Sequence, residues 1–256
     1  MPFLRTELDT NVLTLTVDRP RANAYNLELI GELQSAFKQA TEDSQVRVVV
    51  LTGSGHIFGA GQDITEMKTG GESISYREHL LKTYNPLILQ IRRIEKPVIA
   101  AVNGMCAGAS LGIALACDVR IAADTARFVV GFGGIALIPD SAVTLLLPAL
   151  IGLGRATEYY LSNAQITTEQ ALAWGMVNQV VKLDGFHETV HGVADAMTRA
   201  PIGAFGLTKC AFNKAILPNL EDVLDYEGHV QEIAGKSAEH KEGVAAFIEK
   251  RLPNFL

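Results

Sequence analysis

Two stretches of small residues stand where chemistry could be done by the main chain. One is Ala107-Gly108-Ala109-Ser110, which follows the apolar run Pro97 to Val102, a break at Asn103-Gly104, and leads into a helix through Cys117. The other is Gly59-Ala60-Gly61-Gln62-Asp63, which follows the apolar run Val46 to Thr52 and the turn Gly53-Ser54-Gly55. Short, apolar, partly β-branched runs of this kind read as strands covered on both faces. Small side chains after them let another molecule approach the backbone, and a helix start adds free N–H donors and a partial positive charge. Such a corner suits an oxygen that becomes negative during a reaction, provided a second donor faces it from elsewhere in the chain. Taken alone, the pattern is equally that of a strand, turn and helix packed in an α/β core.

The titratable candidates are fewer. Asp140 follows Pro139 and precedes the apolar stretch Ser141 to Leu150, which is the pattern of a helix N-cap; a carboxylate so bonded has a lowered pKa and is a poorer base. Asp63 reads as a turn or capping residue, Glu66 as a solvent-facing side chain in the polar stretch to Tyr76, and Lys250 as solvated surface. Of the histidines, His187 and His191 stand at helical i, i+4 spacing without a third ligand, so no metal is expected. Cys106, Cys117 and Cys210 lack metal-ligand spacing and read as buried free thiols of a reducing compartment.

The chain has 256 residues, 48% of them hydrophobic and 20% charged, with a formal net charge of −6. This composition allows a sizeable core, and the acidic balance without a long basic run argues against nucleic acid as a partner. A polyanionic small ligand could still be held by a few local Arg and Lys side chains. The opening MPFLRTELDT has no basic region followed by an apolar one, and Asn, Gly and Pro interrupt the longest apolar passages. A cytoplasmic protein without a membrane span is expected.

Elements that would position these residues follow from periodicity. Phe3 to Glu7 and Val12 to Val17 read as a hairpin, and Leu29, Leu33, Ala36, Phe37 and Ala40 mark one face of a helix. A helix is expected over Tyr84 to Ile94, extended structure at Val119 to Ala122, Arg127 to Val130 and Val177 to Val181, and helices at Ser141 to Leu150, Arg155 to Leu161 and Thr168 to Trp174. After Lys182 only helical patterns remain: His187 to Arg199, Ile202 to Ala215, Leu220 to Ala234 and Lys241 to Lys250. The expected class is therefore α/β, with a core over residues 1–185 and a helical region over 186–256 that packs on the core or on a neighbouring subunit.

The segments DRPRANAYN (Asp18 to Asn26), VVVLTGSGHIFGAGQDI (Val48 to Ile64), KPVIAAVNGMCAGASLGIALACD (Lys96 to Asp118), IPD (Ile138 to Asp140), EQALAWGMVNQVV (Glu169 to Val181) and EGVAAFIEKRLPNF (Glu242 to Phe255) resemble the crotonase superfamily, the enoyl-CoA hydratase/isomerase fold. The resemblance implies a spiral core of repeated ββα units, a C-terminal helical trimerisation region, a homotrimer or a hexamer of paired trimers, and an acyl-CoA thioester substrate without a separate cofactor. It implies that the N–H groups of Gln62 and Ala109 hold the thioester oxygen. Coenzyme A would lie against Ala22, Ala24, Ala60, Gln62, Asp63 and Ile64, with Phe247 and Lys250 supplied by the same or a neighbouring subunit. The two glutamates of the hydratases would fall at Gly112 and Phe132, neither of which carries a proton. Asp140 stands where isomerase-type and dehalogenase-type members have an aspartate. An apolar surrounding from Phe132, Ile135, Leu137 and Ile138 would raise its pKa. The resemblance thus implies an isomerase that moves a double bond from the 3-enoyl to the 2-enoyl position, or rearranges a ring-epoxide CoA ester. The alternatives are a hydratase with non-standard groups, a dehalogenase-like nucleophile at Asp140, and a silent CoA-binding subunit.

Overall fold

Strand pairing explains why the two corners can meet. The computed structural model describes residues 2–64 and 75–256. Six strands, β1 (Leu4–Asp9), β2 (Val12–Val17), β3 (Val48–Gly53), β5 (Val98–Val102), β7 (Val119–Ala123) and β10 (Gln179–Val181), form one sheet in that order, parallel except for the β1–β2 hairpin. Four short strands, β4 (Ile57–Gly59), β6 (Met105–Ala107), β8 (Arg127–Val129) and β9 (Gln165–Thr167), form a second sheet in that order. Each step of the chain lays a longer strand in the first sheet and a short one in the second, which gives the spiral of ββα units. Because β4 and β6 pair in parallel, with Ile57 opposite Met105 and Gly59 opposite Cys106, the residues after them leave the small sheet side by side.

The continuous apolar character of β3 and β5 follows from burial on both faces. Val49 and Leu51 belong to one apolar cluster with α1 (Leu27–Glu42), α3 (Tyr84–Arg93) and α4 (Ala109–Ala116). Val48, Val50, Ile99 and Ala101 belong to the other, closed by Phe186, Val190 and Ala194 of α8 (Phe186–Thr198). All eight residues of α4 are buried, as its lack of a polar face requires.

The remaining helices are α2 (Tyr76–Lys82), α5 (Val143–Ile151), α6 (Leu153–Ser162), α7 (Thr168–Ala173), α9 (Ile202–Ile216), α10 (Leu220–Gly235) and α11 (Ala238–Glu249). Docking of α9 uses a buried cation: Lys209 Nζ donates to the Ile91 carbonyl (2.8 Å) and to Asp118 Oδ2 (2.7 Å), while Arg92 Nη1 holds the other oxygen of that carboxylate (3.0 Å). Helix α10 packs on α2 and α5, and α11 lies across a 3₁₀ turn at Gly133–Ile135. A Cβ at Gly243 of α11 would stand 2.7 Å from Ile135 Cα, so only glycine permits that approach.

Several expectations need correction. The strands β4, β6 and β9 span three residues each, too few for a periodicity to register, so the path from strand to corner is longer than the sequence suggested. The helix after Asp140 begins at Val143, because Ser141 and Ala142 take left-handed conformations (φ 56 and 63°). Cys210 is exposed, whereas Cys106 and Cys117 are buried. The reading of Glu66 lies outside the described residues, as does most of the polar stretch to Tyr76. Among the described residues no helix is long and apolar enough to cross a membrane.

Candidate active site

The first corner turns at Gly61 (φ +86°) and the second at Gly108 (φ +58°). A Cβ at Gly61 would lie 2.9 Å from the Ala107 carbonyl oxygen and 3.4 Å from Ala109 N, so the two backbones pass in contact only because residue 61 has no side chain. Ser110 fastens them together: its Oγ donates to the Gly59 carbonyl (2.6 Å) and accepts from Ala107 N (3.0 Å). Tyr25 pairs with Gln62 through Tyr25 N to Gly61 O (2.8 Å) and Asp63 N to Tyr25 O (2.8 Å). That bridge uses the Gly61 carbonyl and the Asp63 N–H on either side of Gln62, not the N–H of Gln62 itself. Ala109 is the first residue of α4, where a helix has no internal acceptor to offer. Among the described residues neither of these two N–H groups is given to a protein acceptor.

The Gln62 side chain is itself held. Its Oε1 accepts from Tyr84 OH (2.5 Å) and from His79 Nε2 (3.0 Å). An amide oxygen can only accept, so the His79 proton sits on Nε2, and burial lowers the pKa of that ring and keeps it neutral.

Beside the first corner lies the loop Arg21-Ala22-Asn23, all three residues left-handed (φ 64, 67 and 52°). Such strain in non-glycine residues persists only where the surroundings impose it. Here Arg19 imposes it, with Nη1 on the Ala24 carbonyl (2.9 Å) and Nη2 on Asp63 Oδ2 (2.7 Å). Ala60 N donates to the Ala22 carbonyl (3.2 Å), and Asn23 Nδ2 donates to the Ile57 carbonyl (2.7 Å). The fold therefore collects Ala22, Ala24, Ala60, Gln62 and Asp63 at one edge of the corner, with the partly buried Ile64 next along the chain.

Asp140 reaches the second corner through α4. Gly112 stands one helical turn beyond Ala109, and a Cβ there would lie 2.4 Å from the Ser141 carbonyl oxygen and 2.7 Å from Ser141 Cβ. The Asp140-Ser141 segment thus packs on α4 with no side chain between them. Asp140 is buried; its Oδ1 accepts from Ser141 Oγ (2.8 Å) and its Oδ2 from Gln231 Nε2 (2.8 Å). Burial pushes the carboxyl up to about 6 from its ordinary 3.8, against the pull of those two donors. Asp140 is not the helix cap that its spacing suggested. The N-terminal donors of α5 are taken by Glu227 of α10, which accepts from Ala142 N (2.9 Å), Thr144 N (3.2 Å) and Thr144 Oγ1. Phe132 and Leu137 are buried in the large apolar cluster, with Ile135 packed against it. Phe247 and Lys250 stand exposed at the end of α11, and no hydrogen bond or ion pair ties the Lys250 ammonium to another described residue.

Glu227, Gln231, His79 and Tyr84 escaped sequence reading, and Ser110 and Arg19 entered it only as members of a corner and of a family-like segment, without the fastening roles the structure gives them. Only the i, i+4 pair Glu227 and Gln231 left a trace, and a polar pair on a terminal helix reads as solvated surface. Arranged as found, the two touching corners leave the N–H groups of Gln62 and Ala109 without a described protein acceptor, and a buried carboxyl of raised pKa lies in the segment packed on the helix that Ala109 begins. These are the parts needed to form and discharge an enolate.

Residues 7–256 match the family described as Enoyl-CoA hydratase/isomerase. A 1,2-epoxyphenylacetyl-CoA isomerase of Escherichia coli (strain K12) is 39% identical over 100% of this chain and 98% of its own. A probable enoyl-CoA hydratase of Rhodobacter capsulatus is 37% identical over 98% of this chain and 97% of its own. Among solved structures, an enoyl-CoA hydratase from Mycobacterium avium subsp. paratuberculosis K-10 superimposes with a TM-score of 0.90 at 34% identity, covering 99% of this chain and 98% of the other.

Proposed function

The chain belongs to the enoyl-CoA hydratase/isomerase family of acyl-CoA enzymes, and from that premise we propose that it is an isomerase in which Asp140 is the sole acid/base. The thioester oxygen is held by the N–H groups of Gln62 and Ala109. Asp140 takes a proton from C2 of a 3-enoyl-CoA, the resulting dienolate is stabilised on the two donors, and the same proton returns at C4, leaving the double bond conjugated. No cofactor is needed, because no electrons leave the substrate. The same oxyanion site would serve rearrangement of a ring-epoxide CoA ester, the substrate named for the relative in Escherichia coli.

One observation carries the choice of isomerase over hydratase. Hydration needs a second ionisable group to hold and deprotonate water. The α4 position from which one could act is Gly112, whose missing Cβ is replaced by the Ser141 carbonyl at 2.4 Å, and Phe132 is apolar. The raised pKa of Asp140 supports the rest, since a carboxyl near 6 is a stronger base than an exposed one yet is still ionised at neutral pH.

Coenzyme A would lie along Ala22, Ala24, Ala60, Asp63 and Ile64. The exposed Leu207, Phe212 and Ile216 of α9 support assembly of copies into a trimer, in which Phe247 and Lys250 would reach a neighbour's coenzyme. The test is a panel of 3-enoyl, 2-enoyl and ring-epoxide CoA esters followed by mass and double-bond position, with Asp140→Asn beside the wild type. Turnover without change of mass, lost in Asp140→Asn by at least about 100-fold while CoA-ester binding persists, is the expected result. Rapid addition of water to crotonyl-CoA would defeat the proposal.

A further inference from the structure

The side chain of Gln62 is gripped at the break between α2 and α3. The two helices share Thr83 as their boundary (φ −117°, ψ −86°), and both its Oγ1 (2.6 Å) and its N–H (3.0 Å) donate to the His79 carbonyl. Closing the turn this way sets His79, in α2, beside Tyr84, the first residue of α3, with their rings edge to face at 5.8 Å. Both residues are buried, and both give a hydrogen to one atom, Gln62 Oε1 (3.0 and 2.5 Å). An amide oxygen has two lone pairs, so these two donors fill it. Helix α2 is itself fixed on α10: Ser75 Oγ and Arg77 N donate to Glu232 Oε2 (3.0 and 3.2 Å), Arg77 Nη2 donates to Asp225 Oδ1 (2.7 Å), and a Cβ at Gly235 would lie 2.3 Å from the Tyr76 ring.

The peptide plane that carries the Gln62 N–H runs from Gly61 Cα to Gln62 Cα. Tyr25 N holds its oxygen end at Gly61 O (2.8 Å). On the Gly61 side, where φ is +86°, no side chain restrains rotation. On the other side the restraint is the Gln62 side chain, whose far end His79 and Tyr84 grip. We propose that His79 and Tyr84 are positioning residues that hold Gln62 so that its main-chain N–H meets the thioester oxygen. The inference deepens the reading of that N–H as an oxyanion donor and rests on it. His79 is neutral, since burial lowers its pKa, and Tyr84 keeps its hydroxyl hydrogen in the bond to Gln62, so neither lends a charge to the enolate. What they supply is direction, and donors aimed at a developing charge must sit within about 0.5 Å of the productive place. Loose aim weakens the bond to the enolate more than the bond to the ground-state ester, which lowers kcat and leaves KM little changed.

The experiment is the infrared spectrum of a saturated acyl-CoA, 13C-labelled at the thioester carbonyl and bound to the intact enzyme, run beside kcat and KM for a 3-enoyl-CoA. It compares the wild type with Tyr84→Phe, Gln62→Met and the double variant, all of which keep the main-chain donors. In the wild type the carbonyl band should lie below that of the free ester in buffer. Tyr84→Phe and Gln62→Met should each move it part of the way back and lower kcat about 10-fold, and the double variant should lose no more than either single one, because both cut the same tie. His79→Gln, which keeps an amide donor, should lose less than His79→Leu. Losses that multiply in the double variant, or a band that stays at its wild-type place in Tyr84→Phe, would overturn the positioning role alone, the lowered wild-type band still upholding the oxyanion donors. A wild-type band no lower than that of the free ester would overturn both.

Discussion

Placing a methyl group at position 112 tests the packing on which the choice of chemistry depends. Gly112 lies inside α4 with ordinary helical neighbours, and glycine to alanine in a helix interior normally stabilises by about 1 kcal/mol. Here the new Cβ would stand 2.4 Å from the Ser141 carbonyl oxygen, 2.7 Å from Ser141 Cβ and 3.1 Å from Val143 Cγ2. To restore even 3.0 Å, the Ser141 turn must retreat by at least about 0.6 Å. Overpacking of this kind costs about 1 to 3 kcal/mol, so Gly112→Ala should come out neutral to about 2 kcal/mol less stable instead of more stable. The retreat is passed directly to Asp140, the preceding residue, and misplacement approaching 1 Å costs up to about 100-fold in rate. The assay pairs urea unfolding with kcat and KM for a 3-enoyl-CoA, and kcat should fall about 10-fold or more with KM little changed. A variant that is about 1 kcal/mol more stable and turns over at the wild-type rate would refute the reasoning.

Further outcomes follow from the same geometry. Asp140 binds its proton more tightly folded than unfolded, so its ionisation opposes folding; the penalty is absent below about pH 4, grows toward pH 6 and is complete above it. Asp140→Asn should therefore stabilise the protein at pH 7 by about 2 to 3 kcal/mol, with the gain gone at pH 4, as read from thermal melts at both values. The rate kcat/KM should decline as pH falls through about 6, where Asp140 becomes protonated, and an acid limb near 4 would show that burial does not act on it. Asp63→Asn leaves the largely buried Arg19 guanidinium without its carboxylate, at a cost of about 3 kcal/mol. Calorimetry should show weaker binding of CoA by that variant, because Ala22 and Ala24 lose their anchor.

What the chain discloses and what it withholds divide along physical lines. The buried strands β3 and β5 were legible because burial on both faces demands apolar residues at every position, and α1 because one apolar stripe recurs at helical spacing. The two corners were legible as runs of small residues. Their approach to one another came only from the resemblance and not from any local pattern, since it depends on the parallel pairing of three-residue strands whose side chains have no pattern of their own. Spacing alone pointed to Asp140 as a helix cap, because the residue before an apolar helix usually caps it, and only the resemblance pointed to it as an acid/base. The helix is capped instead by the carboxylate of Glu227, 85 residues beyond Ala142, and separations of that kind leave no local signal. Lys209 shows the same blindness: a lysine in a terminal helix reads as surface, yet its ammonium is sealed between the Ile91 carbonyl and Asp118.

The absence of a carboxylate on α4 and the presence of one in the loop before α5 are a single steric decision. With a side chain at position 112, the Ser141 carbonyl could not occupy its place against α4, and the turn would have to run farther from the second corner. Glycine at 112 lets the turn come in, and the left-handed pair Ser141 and Ala142 bends it sharply enough to keep Asp140 buried. Bending in this way strips α5 of a local cap, leaving its first N–H groups in need of an acceptor. Glu227 meets that need, and in doing so places a second buried carboxyl near the first. Moving the acid from helix to loop therefore requires Gly112, the strained turn and Glu227 together. A single Gly112→Glu substitution should consequently yield an unstable protein, not a hydratase. Restoring hydration would require relaxing the 140–144 turn in the same chain, and a stable, hydrating Gly112→Glu variant with Glu227 intact would show that these three features are independent.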